Sequence, residues 1–301
     1  MSNIIWTKVK FSRNLKDMLF THKMSELEQG NALKLCLETI EACGLKGEAI
    51  SNMSEQTVNN LAGNGMIENS FLTNSNIKGY ASNPKVAVQI NGKSHLEVFS
   101  KADDIYSAYN EAKKIDKKLC NKLSFSYNDK YGFLNPSIDK VGCGMEIEIL
   151  ILLPALTQIG AIKSLPKSIE KLMFKIESVD ESCNLYMIKS GANLGYTEKQ
   201  ICELVKSYID NIIKCEIEAS KTLAKDVDEV LDKCERAIAI INHCIKIDTT
   251  ELLDLISKIL IAVNGGVKQL EDADGVKKII NSINNNLDEK TLAKIIKNNL
   301  N

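Results

Sequence analysis

Lys85-Val86-Ala87-Val88-Gln89-Ile90-Asn91-Gly92-Lys93-Ser94-His95-Leu96-Glu97-Val98-Phe99 is the stretch whose reading decides the fold. Val86, Val88 and Ile90 alternate with smaller or polar residues, and Leu96, Val98 and Phe99 resume an apolar run. Asn91-Gly92 between them supplies the positive-φ positions of a tight turn, so the pattern predicts a β-hairpin with one face in a core. By pattern alone, Asn91 to Ser94 is a solvated turn.

Upstream, Ser25 and Glu28 have the spacing of a capping box, and Leu27, Leu33, Leu37 and Ile40 follow near helical spacing until Gly44 ends the run. Residues 3 to 14, mixed apolar and basic, read as an extended segment lying on the domain. A shorter helix is expected from Ser54 to Ala62, then a polar loop rich in Gly and Asn up to Asn83-Pro84. Downstream, Ile105, Ala108, Ala112, Ile115 and Leu119 mark a helix that buries one face. Phe125, Tyr127, Tyr131 and Phe133 predict short strands around an Asn128-Asp129 turn. Met145 to Leu153 predicts a strand running into a buried region, with Pro154 placed to begin a helix. Short strands are expected at Leu172 to Glu177 and Asn184 to Lys189. From Thr197 onward the apolar spacing is helical throughout. The fold class is therefore α+β followed by an all-helical region, divided into residues 1–220 and 221–301, with a helix rather than a flexible linker at the join.

At 301 residues the chain is long enough for a full core, and 44% hydrophobic with 26% charged residues is ordinary for a soluble globular protein. No apolar run reaches the roughly 18 to 20 residues of a membrane span, and the N-terminus lacks a signal-peptide core. A cytoplasmic location without membrane contact is expected. The nine cysteines include no Cys-x-x-Cys pair, which argues for reduced, mostly buried thiols and against a metal knuckle. A formal net charge of -1 removes any electrostatic argument for nucleic acid. Among the 38 Lys+Arg residues only Arg13 and Arg236 are arginine, so the chain has almost no planar fork for phosphate.

Five segments in order resemble the bacterial protein-arginine kinases (McsB), a branch of the phosphagen (ATP:guanidino) kinases. Thr7-Lys8-Val9-Lys10-Phe11-Ser12-Arg13-Asn14-Leu15 is similar to that family's S-x-R-x-R-x-x-R-N-L. Asn91 to Glu97 lies where it has N-E-E-D-H-L-R. Tyr131 to Leu134 and Val141 to Glu146, ending in Leu153-Pro154-Ala155-Leu156, resemble G-[FY]-L and V-G-T-G-L-R…L-P-A-L. Asn184 to Ile188 with Leu194 to Glu198 resembles N-L-F-x-I…L-G-x-[ST]-E. The resemblance implies a phosphagen-kinase-like domain with an antiparallel sheet flanked by helices.

It also implies an altered site. Such kinases position ATP with arginines and hold the guanidinium with a carboxylate base. Here Lys8 and Lys10 replace two of the arginines, Glu97 and Glu146 reverse the charge of two more, and Leu172 falls at or near another. His95 keeps a nucleotide-side position, Ser137 stands for the family's reactive cysteine, and Glu177 keeps an acidic position. Lys93 replaces the catalytic carboxylate. Like charges about 4 Å apart repel by roughly 1 kcal/mol in water and about 4 kcal/mol at an effective dielectric near 20, so Lys93 opposes a guanidinium. Asp103, Asp104, Glu148 and Glu177 are carboxylates near these motifs; Asp103 and Asp104 read first as helix N-terminal residues. His95 reads first as a partly buried polar residue. In the C-terminal part, Leu260 and Asn264 replace an arginine and an aspartate, and Glu289 to Lys294 lies at a phosphoarginine-sensing element.

The expectation is a pseudokinase: no intact catalytic residues, no cofactor, and a regulatory or structural protein-binding role as a homodimer through the C-terminal helices. The alternative is residual or altered ATP:guanidino phosphotransfer, which alone would bring ATP and Mg. A weak anion or phosphoprotein site at Lys8, Lys10 and Lys93 is opposed by Glu97 and Glu146. The resemblance further implies a setting in stress regulation, with a zinc-binding activator and a Clp-type protease, and the sequence names no partner.

Overall fold

The computed structural model describes residues 3–18, 23–63, 66–67, 71–72, 78–91, 95–165, 174–191, 194–270, 273–283 and 288–297. In chain order the elements are β1 (Ile4–Asn14), α1 (Glu26–Glu41), β2 (Lys46–Ala49), α2 (Glu55–Gly63), β3 (Lys78–Ser82), β4 (Val86–Asn91), β5 (His95–Ala102), α3 (Ile105–Cys120), β6 (Tyr127–Asn128), β7 (Gly132–Phe133), β8 (Met145–Leu152), α4 (Pro154–Gln158), β9 (Lys175–Asp180), β10 (Leu185–Lys189), α5 (Glu198–Leu223), α6 (Val227–His243), α7 (Thr249–Asn264), α8 (Ala273–Ile283) and α9 (Glu289–Lys297). They form two compact units: Thr7–Glu148 with Ser190–Leu204, and Met1–Trp6, Ile149–Lys189 with Val205–Asn301.

In the first unit the strand order is β2-β3-β4-β5-β1-β8. The hairpin is present: β4 pairs antiparallel with β5 from Val86↔Ser100 to Asn91↔His95. Its turn, Gly92 to Ser94, lies outside the described residues. The expectation of one buried face needs correction, because Val86 through Ile90 are all buried. On the Val88 and Ile90 face lie Leu33 of α1, beside Gly79 and Ile90, and α3, whose Tyr109 ring meets Phe11. On the Ala87 face, Ala87, Phe99, Tyr80 and Ile67 form a core joined by Ile50, Met53 and Leu61. Gln89 is tolerated in the sheet because its Nε2 donates to the Met66 carbonyl at 3.1 Å.

A second correction concerns the N-terminus. Residues 4–14 are a strand between β5 and β8 rather than a segment lying on the surface, and Thr7 to Asn14 are all buried. Strands β2 and β3 are not expected from the sequence; β3 lies inside what reads as a polar loop. The capping box on α1 is formed, with Ser25 and Glu28 exchanging side-chain and backbone hydrogen bonds. Leu27 is nevertheless exposed, and Leu33 and Ile40 carry the buried stripe. Asp104 caps α3 by accepting from the Tyr106 and Ser107 N–H groups, both at 3.0 Å.

In the second unit the order is β1-β8-β10-β9, and β9 pairs antiparallel with β10. Leu150 and Leu152 share one core with Ile241, Ile256, Leu260 and Ile279. These units therefore cut the chain differently from a division at residue 220, because the end of the sheet and the C-terminal helices bury a common apolar surface. Helix α5 runs on through residue 220 to Leu223, and Asp226 caps α6. Pro154 begins α4 as expected. No helix among the described residues is long and apolar enough to cross a membrane.

Glu216 of α5 is fully buried, and its two oxygens accept the Ala155 and Leu156 N–H groups at 2.8 and 2.9 Å, at the start of α4. Burial raises its pKa to about 7 against the opposing effect of those two bonds. A carboxyl raised in the folded state contributes stability below its unfolded value near 4.5 and loses that contribution as pH rises through 7. Glu216→Gln accepts only one of the two N–H groups, so urea unfolding should show a loss of about 1–3 kcal/mol. The wild-type advantage should be larger at pH 5 than at pH 7.5.

Candidate functional site

Successive side chains of a strand alternate between faces, so β1 presents Lys8, Lys10, Ser12 and Asn14 together. Its register with β5 sets Lys8 opposite Lys101, Lys10 opposite Phe99, Ser12 opposite Glu97 and Asn14 opposite His95. On the other side the Ser12 N–H donates to the Gly144 carbonyl at 2.8 Å, which brings Glu146 and Glu148 beside Lys10 and Lys8. The Lys10 Nζ lies 3.2 Å from Glu146 Oε2 and 3.3 Å from Glu148 Oε1, and the Lys8 Nζ lies 3.5 Å from Glu148 Oε2. Lys8 also sits 4.5 Å above the Phe99 ring.

Glu97 has its own partners. Its Oε1 accepts from the Lys140 Nζ at 3.0 Å and the Ser12 hydroxyl at 3.3 Å, with His95 Nε2 at 3.5 Å. Burial opposes ionisation of Glu97, but Lys10, His95 and Lys140 outweigh it and hold the carboxyl well below its ordinary range. Burial lowers the Lys140 pKa while Glu97 and Glu146 raise it, and the net direction is up. Lys101 is pushed down to about 8 by burial and by Lys8, against the pull of Glu148. Chemically this is a sheet face on which Lys8 and Lys10 are already directed at carboxylates.

The structure therefore brings together Lys8, Lys10, His95, Glu97 and Glu146, with Glu148, Lys101 and Lys140; the last two are not singled out by sequence reasoning. The signal for Lys140 is its place just before the Val141 to Glu146 segment; for Lys101 it is the alternation of β5. His95 is partly buried, its Nδ1 3.0 Å from Asn14 Oδ1. Lys93 and Leu172 lie outside the described residues. Ser137 is exposed and its hydroxyl donates to Asp139. Glu177, in the other unit, is exposed on β9 and paired with Lys189 at 2.7 Å. Leu260 is a core residue and Asn264 Nδ2 donates to Asn3 Oδ1 at 3.2 Å. Among the described residues no cluster of His, Cys, Asp and Glu is arranged to hold a metal.

Beneath this face, on the opposite side of β1, Arg13 is fully buried. Its Nε and Nη2 both reach Asp116 at 2.9 Å, and its Nη1 donates to the Ser12 and Cys143 carbonyls at 2.9 and 3.0 Å. The guanidinium lies 3.7 Å from the Phe133 ring centroid. Lys113 completes the group, 3.2 Å from Asp116 and 2.6 Å from Glu198. Gly144, at φ +63°, is required here, since an added Cβ would lie 2.6 Å from Arg13 Nη1.

The family model for the C-terminal catalytic domain of ATP:guanido phosphotransferases matches residues 31–219. The chain belongs to this family. Its similarity to the protein-arginine kinase of Halothermothrix orenii is 28% identity over 193 residues, 62% of this chain and 55% of that protein, a little over half the relative's length. With the protein-arginine kinase of Clostridium acetobutylicum it is 24% over 307 residues, 97% of this chain and 89% of that protein. Among solved structures, the duplicated taurocyamine kinase of Schistosoma mansoni superimposes with a TM-score of 0.59 at 20% identity, covering 72% of this chain and 32% of that one. Lombricine kinase gives 0.57 at 14%, covering 71% and 66%. At these identities the structural matches speak to the fold: phosphagen-kinase-like, mixed α+β with a helical C-terminal region.

Because the folded pKa of Glu97 lies below the unfolded value near 4.5, its contribution is present above that pH and is lost as pH falls through the lower value. Glu97→Gln leaves Lys10 and Lys140 short of a counter-charge. Unfolding should show a loss of roughly 2–3 kcal/mol at pH 7 that shrinks below pH 4.5.

Proposed function

We propose that this chain is a non-catalytic member of the ATP:guanido phosphotransferase family that acts as a regulatory or structural protein-binding scaffold. The observation that carries the reading is Lys10 held between Glu146 and Glu148 at 3.2 and 3.3 Å. A triphosphate brings three or more negative charges. To reach Lys8 and Lys10 it must displace or lie against Glu97, Glu146 and Glu148, each like-charged contact costing about 4 kcal/mol at an effective dielectric near 20. The lysines also lack the planar fork by which arginine holds phosphate oxygens. Lys93, at the position of the catalytic carboxylate in the sequence motif, supports the same reading. The scaffold is proposed to be a cytoplasmic homodimer through its C-terminal helices, which light scattering at several concentrations tests by a mass twice that of the chain.

The second reading, residual or altered ATP:guanidino phosphotransfer, is favoured by the relatives, which are protein-arginine kinases. The two separate in one experiment. Calorimetry with Mg-ATP and a phosphorylation assay on arginine-rich protein substrate should give a Kd weaker than about 1 mM, less than roughly 4 kcal/mol of binding, and no phosphoarginine above background. Robust phosphotransfer, abolished by Lys8→Ala, would overturn the scaffold reading in favour of the enzyme.

A further inference from the structure

On the face of β1 that carries Phe11 and Arg13, away from the lysine and glutamate cluster, a cleft of about 630 Å³ opens between β6, β7, α3 and the start of α5. That volume is within the usual range of binding sites. Four of the chain's eight tyrosines line it, Tyr109, Tyr127, Tyr131 and Tyr196, together with Phe133. That is a concentration in a chain with only 5% aromatic residues. Tyr127 is 57% exposed, Leu194 48%, Tyr131 45% and Tyr196 39%. Large apolar side chains exposed as a group mark interaction sites more than single exposed ones do. Tyrosine supplies contact area at low entropic cost and dominates binding hot spots.

The charged residues of the lining are one carboxylate, Glu198, and two lysines, Lys130 and Lys199. Glu198 is engaged by Lys113 at 2.6 Å and by the Tyr109 hydroxyl at 2.8 Å. Lys130 and Lys199 are exposed at the rim, and among the described residues no ion pair engages either. Lys130 instead lies 5.3 Å from the Tyr131 ring. The cleft floor is fixed: Phe133 N–H donates to Gly142 O at 2.7 Å, Gly142 N–H returns to Phe133 O at 3.2 Å, and Phe133 rests on Arg13.

We propose that this cleft docks a short acidic segment of a partner protein, one large apolar side chain seated among Tyr127, Tyr131 and Tyr196 and flanking carboxylates meeting Lys130 and Lys199. The inference deepens the scaffold reading by naming the chemistry of what is bound, and it uses none of the residues at the phosphate positions.

The test is fluorescence anisotropy of the full chain with a fluorescein-labelled nonapeptide, Glu-Asp-Glu-Leu-Phe-Asp-Glu-Asp-Glu. Two controls are its lysine-substituted counterpart and a single-stranded thymidine oligonucleotide. Saturable binding of the acidic peptide is expected. It should weaken at least about tenfold in Tyr127→Ala/Tyr131→Ala and in Lys130→Glu/Lys199→Glu, whose exposed positions leave the thermal melt unchanged. No saturable binding, undiminished binding by both variants, or preference for the basic peptide or the oligonucleotide would overturn the proposal. Phosphotransfer activity found alongside intact peptide binding would remove the scaffold reading and leave this site standing.

Discussion

The rest of the sheet depends on Lys10 being held between Glu146 and Glu148. Strand β1 is buried from Thr7 to Asn14, and a buried ammonium costs several kcal/mol unless carboxylates meet it with good geometry. The two glutamates are two residues apart on β8, so one face of that strand supplies both. Only one register of β1 against β8 achieves this, and a slip of one residue would send every lysine into the apolar side. The carboxylates that meet Lys8 and Lys10 are therefore the ones that allow those lysines to remain buried.

The other side of β1 is organised by a different charge. Arg13 has a two-pronged ion pair with Asp116, an aromatic face on Phe133 and two carbonyl acceptors. It ties β1 to α3 and to the Cys143-Gly144 turn. One arginine within a strand of lysines thus separates two roles. Lys8 and Lys10 pair with carboxylates on one face, while Arg13 makes the framework contacts on the other and positions the wall of the tyrosine cleft.

Much of the fold is legible in the sequence. The hairpin read over Lys85 to Phe99, the capping box at Ser25, Asp104 at a helix N-terminus and Pro154 at the start of α4 all follow from local chemistry. What escapes a sequence reading depends on tertiary context. The basic patterning of residues 4–14 is no guide, because alternating lysines look solvated until Glu148 arrives from 138 positions along the chain to meet Lys10. Gly79 and Gly47 disguise β3 and β2, which read as loop because they lack a side chain where the sheet is crowded: an added Cβ would lie 2.5 Å from Leu33 and 2.4 Å from Ala81 respectively. Family motifs locate Glu97 and Glu146, but no motif indicates that Lys140 and Glu148 complete the charge compensation.

Whether Lys10 is committed to its carboxylates is measured directly by a double-mutant cycle. Lys10→Met, Glu148→Gln and the pair together, unfolded in urea at pH 7, should give a coupling of at least about 1 kcal/mol, as contacting residues in one charged network do. A coupling near zero would contradict that commitment, since Lys10 would then stand available to an incoming anion.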